Sequence, residues 1–80
     1  MGSKSIKVLL IEDDLSYVKV VQRMLSKIGG ASFDMEHAIT LSDGLNRMAE
    51  GGIDLVLLDL GLPDSKGFDT FYRFYGQIRE

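Results

Sequence analysis

Acidic residues follow directly after two apolar runs of this 80-residue chain. Glu12 and Asp13 come after the run 7–11, and Asp59 comes after the run 54–58. If both runs are neighbouring parallel strands, their carboxyl ends place these carboxylates in one crevice. Carboxylates gathered in this way favour a hard cation with oxygen ligands, Mg²⁺ by preference. With a divalent ion present, a carboxylate such as Asp59 can attack a phosphoryl group and form an acyl phosphate.

The alternative is that these acids have only a local structural role. A single acid after a strand is usually a turn or capping residue. Here acids follow two strands, and Gly61 and Pro63 stand at fixed offsets behind Asp59 in a loop of turn-forming residues. The combined pattern favours a binding site.

Three predicted strands would position these acids. Residues 6–11 form a short, branched and nearly continuous apolar run, which is typical of a strand that is buried on both faces. Residues 32–38 alternate between apolar and polar side chains, as in a strand with one wet face at a sheet edge. Residues 54–60 again read as a strand that is apolar on both faces.

Helical patterns separate and follow these strands. Asp14 or Ser16 can cap the first helix, and Gly29-Gly30 is expected to end it. Its apolar stripe has a helical period and consists of Val18, Val21, Leu25 and Ile28. Thr40 and Asp43 fit a capping box at the start of a second helix, which Gly51-Gly52 would stop. A last helix is predicted over 68–79.

The resulting order is β-α-β-α-β-α. Each crossover is long enough for a parallel, right-handed connection. We therefore predict an α/β fold with a doubly wound parallel sheet, in a single unit that spans 1–80. The acids converge if the first strand lies between the second and the third, which is the strand order 2-1-3.

Composition narrows the possible partners and the location. The net charge is −3 and the basic residues are scattered, which argues against nucleic-acid binding. There are no cysteines, so we expect neither a disulfide framework nor a thiolate metal site, as is usual in a reducing cytoplasm. No apolar run approaches the length of a membrane span. We expect a cytoplasmic protein without nucleic-acid or membrane partners.

At its two acidic segments, 8–14 and 54–67, the chain resembles the receiver domain of bacterial two-component response regulators. The resemblance implies half of a doubly wound, flavodoxin-like parallel sheet with strand order 2-1-3. It implies a signalling module rather than an enzyme. It also implies that Asp59 accepts a phosphoryl group from a histidine kinase.

The same resemblance implies a ligand set for Mg²⁺. Asp13, Asp59 and the backbone carbonyl of Gly61 would bind the ion directly, and Glu12 would hold it through water. The resemblance runs from about Ile6 to the last helix and matches the first three of the five receiver strands.

The family's fourth and fifth strands, which end in Ser or Thr and in Lys, have no counterpart among these 80 residues. Lys66 lies in the loop after Asp59 and is interpreted as a solvated lysine rather than as that family Lys. His37, at the end of a predicted edge strand, is interpreted as a half-exposed structural residue. We therefore expect the N-terminal half of a receiver.

The predicted strand 54–60 has the composition of an interior strand, yet the order 2-1-3 leaves it at an edge. Its free backbone groups would invite another chain, and a two-fold axis would pair it antiparallel with its own copy. Aromatic residues form one face of the helix 68–79: Phe68, Phe71, Tyr72 and Tyr75. They could cover the chain's own sheet, but aromatic faces are enriched at interfaces, and we predict a homodimer through both elements.

Three functions remain open from the sequence. The first is a half-receiver that assembles with itself and retains an acidic Mg²⁺ pocket with a phosphoacceptor-type Asp59. The second is a working phosphoacceptor in a phosphorelay, with its missing elements supplied by a partner. The third is a simple divalent-metal-binding module.

Overall fold

A computed structural model of the chain describes residues 5–78, which form a parallel sheet, three helices and a small antiparallel hairpin. The strands of the sheet are β1 (Ser5–Ile11), β2 (Ser32–Ala38) and β3 (Leu55–Leu58). The hairpin consists of β4 (Gly61–Leu62) and β5 (Ser65–Lys66). The helices are α1 (Leu15–Ser26), α2 (Leu41–Ala49) and α3 (Phe68–Ile78).

The sheet has the strand order β2-β1-β3, and all its pairs are parallel. This confirms the predicted α/β fold class and strand order. At the carboxyl end of the sheet, Ile11 of β1 lies opposite Ala38 on one side and Leu58 on the other. The three strands therefore end at the same level, and the residues that follow β1 and β3 lie close together.

The main core lies on the α2 and α3 side of the sheet. It is built from buried apolar residues of the sheet, both helices and the hairpin: Leu9, Ile11, Ala38, Leu41, Leu62 and Phe74. Helix α2 comes close to β1 at Gly44, where a Cβ atom would overlap the side chain of Ile11. A glycine at this position therefore allows the helix to pack directly on the sheet.

Helix α1 differs from its prediction in both its end and its buried face. It ends at Ser26 with Lys27 as its C-cap, so it stops before the predicted Gly29-Gly30. Of the predicted stripe only Val18 is buried, while Ile28 lies beyond the helix and is half exposed. Within residues 5–78, α2 and α3 pack together over the main core, whereas α1 packs against β2 without a neighbouring helix, so its apolar stripe is only partly covered.

The third strand is shorter than the predicted 54–60. Regular pairing covers Leu55–Leu58, although the amide of Asp54 still donates to Lys7 O (2.9 Å) and that of Asp59 to Ile11 O (3.0 Å). The chain then leaves the sheet, because the hairpin β4–β5 carries Leu62 into the core, where it is fully buried. The segment that was predicted as a loop is thus partly ordered as a hairpin.

The polar face of β2 is covered by charged partners rather than by water alone. Lys7 Nζ lies 2.6 Å from Asp34 Oδ2 and 2.9 Å from Glu36 Oε2. Arg47 of α2 donates from Nε to Glu36 Oε1 at 2.6 Å. The Arg47 guanidinium, and after it the Lys7 ammonium, lower the pKa of Glu36 to about 2. Ion pairs therefore join β2 to β1 and to α2.

Helix α3 divides its aromatic residues between two environments. Phe74 is 5% exposed and packs in the core. The predicted aromatic face lies toward solvent instead, with exposures between 46% and 72%, and consists of Phe68, Phe71, Tyr72 and Tyr75. Residue 79, which the prediction included in this helix, lies outside the described residues.

Candidate functional site

The predicted acids come together at the carboxyl ends of β1 and β3. Glu12, Asp13 and Asp59 each present a carboxylate oxygen, and these oxygens all lie within 4.8 Å of one another. Glu12 and Asp59 are half-buried, whereas Asp13 is exposed. The register of β1 with β3 produces this convergence, because both strands end side by side.

The turn after β1, residues 12–14, is the acidic turn, and hydrogen bonds at Glu12 and Asp14 hold it in place. The amide of Glu12 donates to Ala38 O at 2.9 Å, and the carbonyl oxygen of Glu12 lies 3.0 Å from His37 Nε2. The amide of Asp14 donates to Glu12 Oε2 at 3.1 Å. Asp14 Oδ1 in turn accepts from the amide of Ser16 at 2.9 Å, so Asp14 is the N-cap of α1. The conformation of the acidic turn is therefore set by both β2 and α1.

Asp59 is held from its own segment. Its Oδ1 accepts a hydrogen bond from the amide of Gly61 at 3.0 Å. Gly61 belongs to β4 and pairs with Lys66 across the hairpin. The hairpin thus orients the Asp59 carboxylate by engaging one of its two oxygens.

The electrostatics of the site follow from the crowding of acids. Burial, together with the neighbouring Asp59 and Asp13 carboxylates, raises the pKa of Glu12, and the amide of Asp14 acts in the opposite direction. A bound cation would favour the ionised form of all three acids. The donors are carboxylate oxygens, which suit Mg²⁺ or Ca²⁺ and not a soft metal.

Asp64, in the turn of the hairpin, joins the loop after Asp59 to helix α2. Its carboxylate accepts from the amides of Leu41 (2.8 Å) and Ser42 (3.0 Å), and these bonds lower its pKa. Thr40 is the N-cap of α2, as predicted, because its Oγ1 accepts a hydrogen bond from the amide of Asp43 at 3.1 Å. This role of Asp64 was not predicted, because no local pattern points to a partner 23 residues away.

Two further residues from the sequence analysis have defined contacts. Lys66 Nζ donates to Leu62 O at 3.1 Å within the hairpin, so its ammonium group has a local structural role. His37, which was interpreted as a half-exposed structural residue, has its ring nitrogen Nε2 within hydrogen-bond distance of the backbone carbonyl of Glu12 in the acidic turn. Its position opposite Leu10 near the carboxyl end of β1 explains this contact.

Within residues 5–78, no helix combines the length and the apolar character that crossing a membrane requires.

No protein-family model matches the chain. It is 40% identical over 72 residues to the swarming motility regulation protein RssB of Serratia marcescens. It is also 38% identical over 69 residues to the aerobic respiration control sensor protein ArcB of Escherichia coli. The alignments cover 88% and 86% of this chain, but only 32% of RssB and 8% of ArcB.

Among solved structures, the non-phosphorylated HemR receiver domain from Leptospira biflexa matches with a TM-score of 0.69 and 31% sequence identity. The match covers 94% of this chain and 58% of that domain. The chain is therefore homologous to the receiver domains of response regulators, and it has their flavodoxin-like fold. This confirms the resemblance that the two acidic segments indicated.

Proposed function

We propose that this chain is a phosphoacceptor-type receiver module of two-component signalling, with residues 1–80 acting as one unit. Glu12, Asp13 and Asp59 would hold Mg²⁺ together with the carbonyl of Gly61, and Asp59 would accept the phosphoryl group. The observation that carries this proposal is the convergence of three carboxylate oxygens within 4.8 Å beyond the strand ends, in a homologue of receiver domains.

The chemistry is transfer of a phosphoryl group from a phosphohistidine of a kinase. An oxygen of the Asp59 carboxylate attacks phosphorus, the P–N bond breaks, and the departing imidazole nitrogen keeps the electron pair and is protonated by solvent. The Gly61 amide donates to Oδ1 of Asp59 and thereby orients the carboxylate. Mg²⁺, when bound, neutralises charge on the phosphoryl oxygens. Asp59 is thereby modified, and the chain itself is assigned no enzymatic turnover.

Intact-mass measurement tests the acceptor directly. The chain is incubated with Mg²⁺ and acetyl phosphate, and we expect the mass of one added phosphoryl group. Asp59→Asn should abolish the adduct. Asp54→Asn, the matched change at the opposite end of β3, should retain the adduct. The side-chain oxygen at this position can still accept the hydrogen bond from the backbone N–H of Lys7. No adduct at any Mg²⁺ concentration would overturn the proposed acceptor function.

A titration with Mg²⁺ alone separates this proposal from that of a simple metal-binding module. We expect Mg²⁺ to shift the amide signals of residues 12–14 and 59–61, and Asp13→Asn to weaken binding strongly. Binding of Mg²⁺ without any phosphoryl adduct would favour the metal-binding module. A parent chain that binds no Mg²⁺ would overturn the metal site.

We propose in addition that two copies of the chain associate through β3 and the aromatic face of α3, in the cytoplasm. Among the described residues, β3 has a strand partner on its β1 side only, and Leu55 is 42% exposed. None of the four residues of β3 is charged, so nothing in the strand itself blocks further pairing. An apolar groove continues from the end of β3 along α3 and is lined by Leu60, Phe68, Phe71 and Tyr72.

A second copy suits this surface because a two-fold axis would bury two identical apolar edges at once and pair β3 antiparallel with itself. Sedimentation should then show a dimer at micromolar concentration. Leu55→Lys should give a monomer, whereas Ser32→Lys, the matched change on the exposed start of β2, should remain dimeric. A well-folded parent monomer at that concentration, with freely exchanging amides in β3, would overturn the proposed assembly.

A further inference from the structure

We infer that His37 is a positioning residue for the acidic site, acting through the backbone carbonyl of Glu12. The inference rests on the proposed Mg²⁺ site, and it assigns to a β2 residue a part in aligning ligands that follow β1 and β3. His37 would not touch the ion.

The contact defines which ring nitrogen carries the proton. His37 Nε2 lies 3.0 Å from the carbonyl oxygen of Glu12. A carbonyl oxygen can only accept, so Nε2–H must be the donor. The ring is partly buried at the end of β2, where water competes less well for the carbonyl oxygen.

The two peptide groups on either side of Glu12 are both bound to β2. The Ile11–Glu12 peptide donates its N–H to Ala38 O at 2.9 Å, and the Glu12–Asp13 peptide accepts from His37 through its C=O. Because each peptide group is planar, these two bonds together restrain both backbone dihedrals of Glu12. The Cα of Asp13 lies in the second of these planes, so the same bonds fix the position from which the Asp13 side chain extends.

The expected consequence concerns ligand alignment more than folding. Without the His37 donor, the Glu12–Asp13 peptide can rotate, and the Asp13 carboxylate spends less time near that of Asp59. Groups that orient metal ligands from outside the coordination shell typically change metal affinity 10- to 100-fold when they are removed. We therefore expect about a tenfold loss, the lower end of that range, because the acidic turn keeps its bonds to Ala38 and Asp14.

Three variants isolate the hydrogen bond. His37→Phe keeps an aromatic ring but removes the donor, and His37→Gln restores an N–H donor at a similar reach. Met35→Ala is the control, since Met35 is also half-buried on the same face of β2 but lies opposite Val8, away from the strand end. In a titration with Mg²⁺ alone, His37→Phe should bind about tenfold more weakly. His37→Gln and Met35→Ala should bind like the parent.

The same variants are compared without metal, so that the inference can fail separately from the proposed function. His37→Phe should shift the amide signals of Asp13 and Asp14 and speed hydrogen exchange of the Asp14 amide, which donates to Glu12 Oε2, and Met35→Ala should not. If the parent binds no Mg²⁺, the proposed site is wrong, and unchanged Asp13 signals in His37→Phe would overturn the hydrogen bond itself. Unchanged Mg²⁺ affinity in His37→Phe, or an equal loss in Met35→Ala, would overturn the positioning role.

Discussion

The two strands that flank β1 are held in different ways. On one side, β2 pairs along seven residues, and Glu36 on its α2-facing side is bound by Lys7 and Arg47. On the other side, β3 pairs along four residues that are all apolar. Charged side chains protect a sheet edge against pairing with another strand, whereas an apolar strand does not.

This difference bears on the acidic site as well as on assembly. The acids follow β1 and β3, but two of the hydrogen bonds that hold the turn of Glu12 come from His37 and Ala38 of β2. Strand β3 therefore brings Asp59 to the site, and β2 aligns the acids that follow β1. The α3 and β3 side should accordingly depend on buried apolar area, and the β2 side on polar contacts.

The largest expected effect tests the dependence of the α3 side on apolar burial. Phe74→Ala should lower the free energy of unfolding by about 3–5 kcal/mol, because it removes a ring that is 5% exposed in the core. Phe68→Ala is the matched control on the same helix, where the ring is 72% exposed, and its effect should stay within about 0.5 kcal/mol in the monomer. Urea unfolding measures both. Similar losses for the two variants would contradict the burial of Phe74.

A smaller effect on the free energy of unfolding is expected from the polar contact that joins the hairpin to α2. Asp64→Ala should cost about 1 kcal/mol, since the carboxylate caps α2 through the amides of Leu41 and Ser42. Asp69→Ala, in the first turn of α3, should cost about 0.3 kcal/mol, because that exposed carboxylate interacts mainly with the helix dipole. Thermal or urea unfolding can rank the two. A smaller loss for Asp64→Ala than for Asp69→Ala would show that the hairpin does not anchor α2.

The smallest effect concerns the ion pairs of β2 and appears in acid. The pKa of Glu36 is lowered from its ordinary value of 4.5 to about 2, mainly by Arg47. A carboxyl group with a lowered pKa in the folded state stabilises the protein above its ordinary value, and this stabilisation is lost as the pH falls from 4.5 to about 2. Glu36→Gln should therefore make the free energy of unfolding less dependent on pH in that interval, by a modest amount because Glu36 is 35% exposed.

Urea unfolding at several pH values in this interval measures the effect. Arg47→Met should reduce the same pH dependence, because it removes the largest cause of the lowered pKa. An unchanged pH dependence in Glu36→Gln would show that the ion pairs of β2 do not contribute to stability.

Local patterns in the sequence were sufficient for the fold class, and the resemblance to receiver domains supplied the strand order. The apolar run of β1 and the alternation of β2 are properties of neighbouring residues, and the parallel order follows from the connections between them. The convergence of Glu12 and Asp59 could also be anticipated, because both follow strands whose carboxyl ends share one edge. The ends of α1 and β3 were less well predicted, since they depend on what each element packs against.

The sequence by itself thus determined the order of the elements and the acids that follow them. Only the tertiary structure decided that Phe74 is the buried ring of α3, that Asp64 caps α2, and that His37 contacts Glu12. The last two contacts join residues 23 and 25 positions apart. Their partners are set by the register of the sheet and by the path of the hairpin, and neither leaves a periodic signal in the chain.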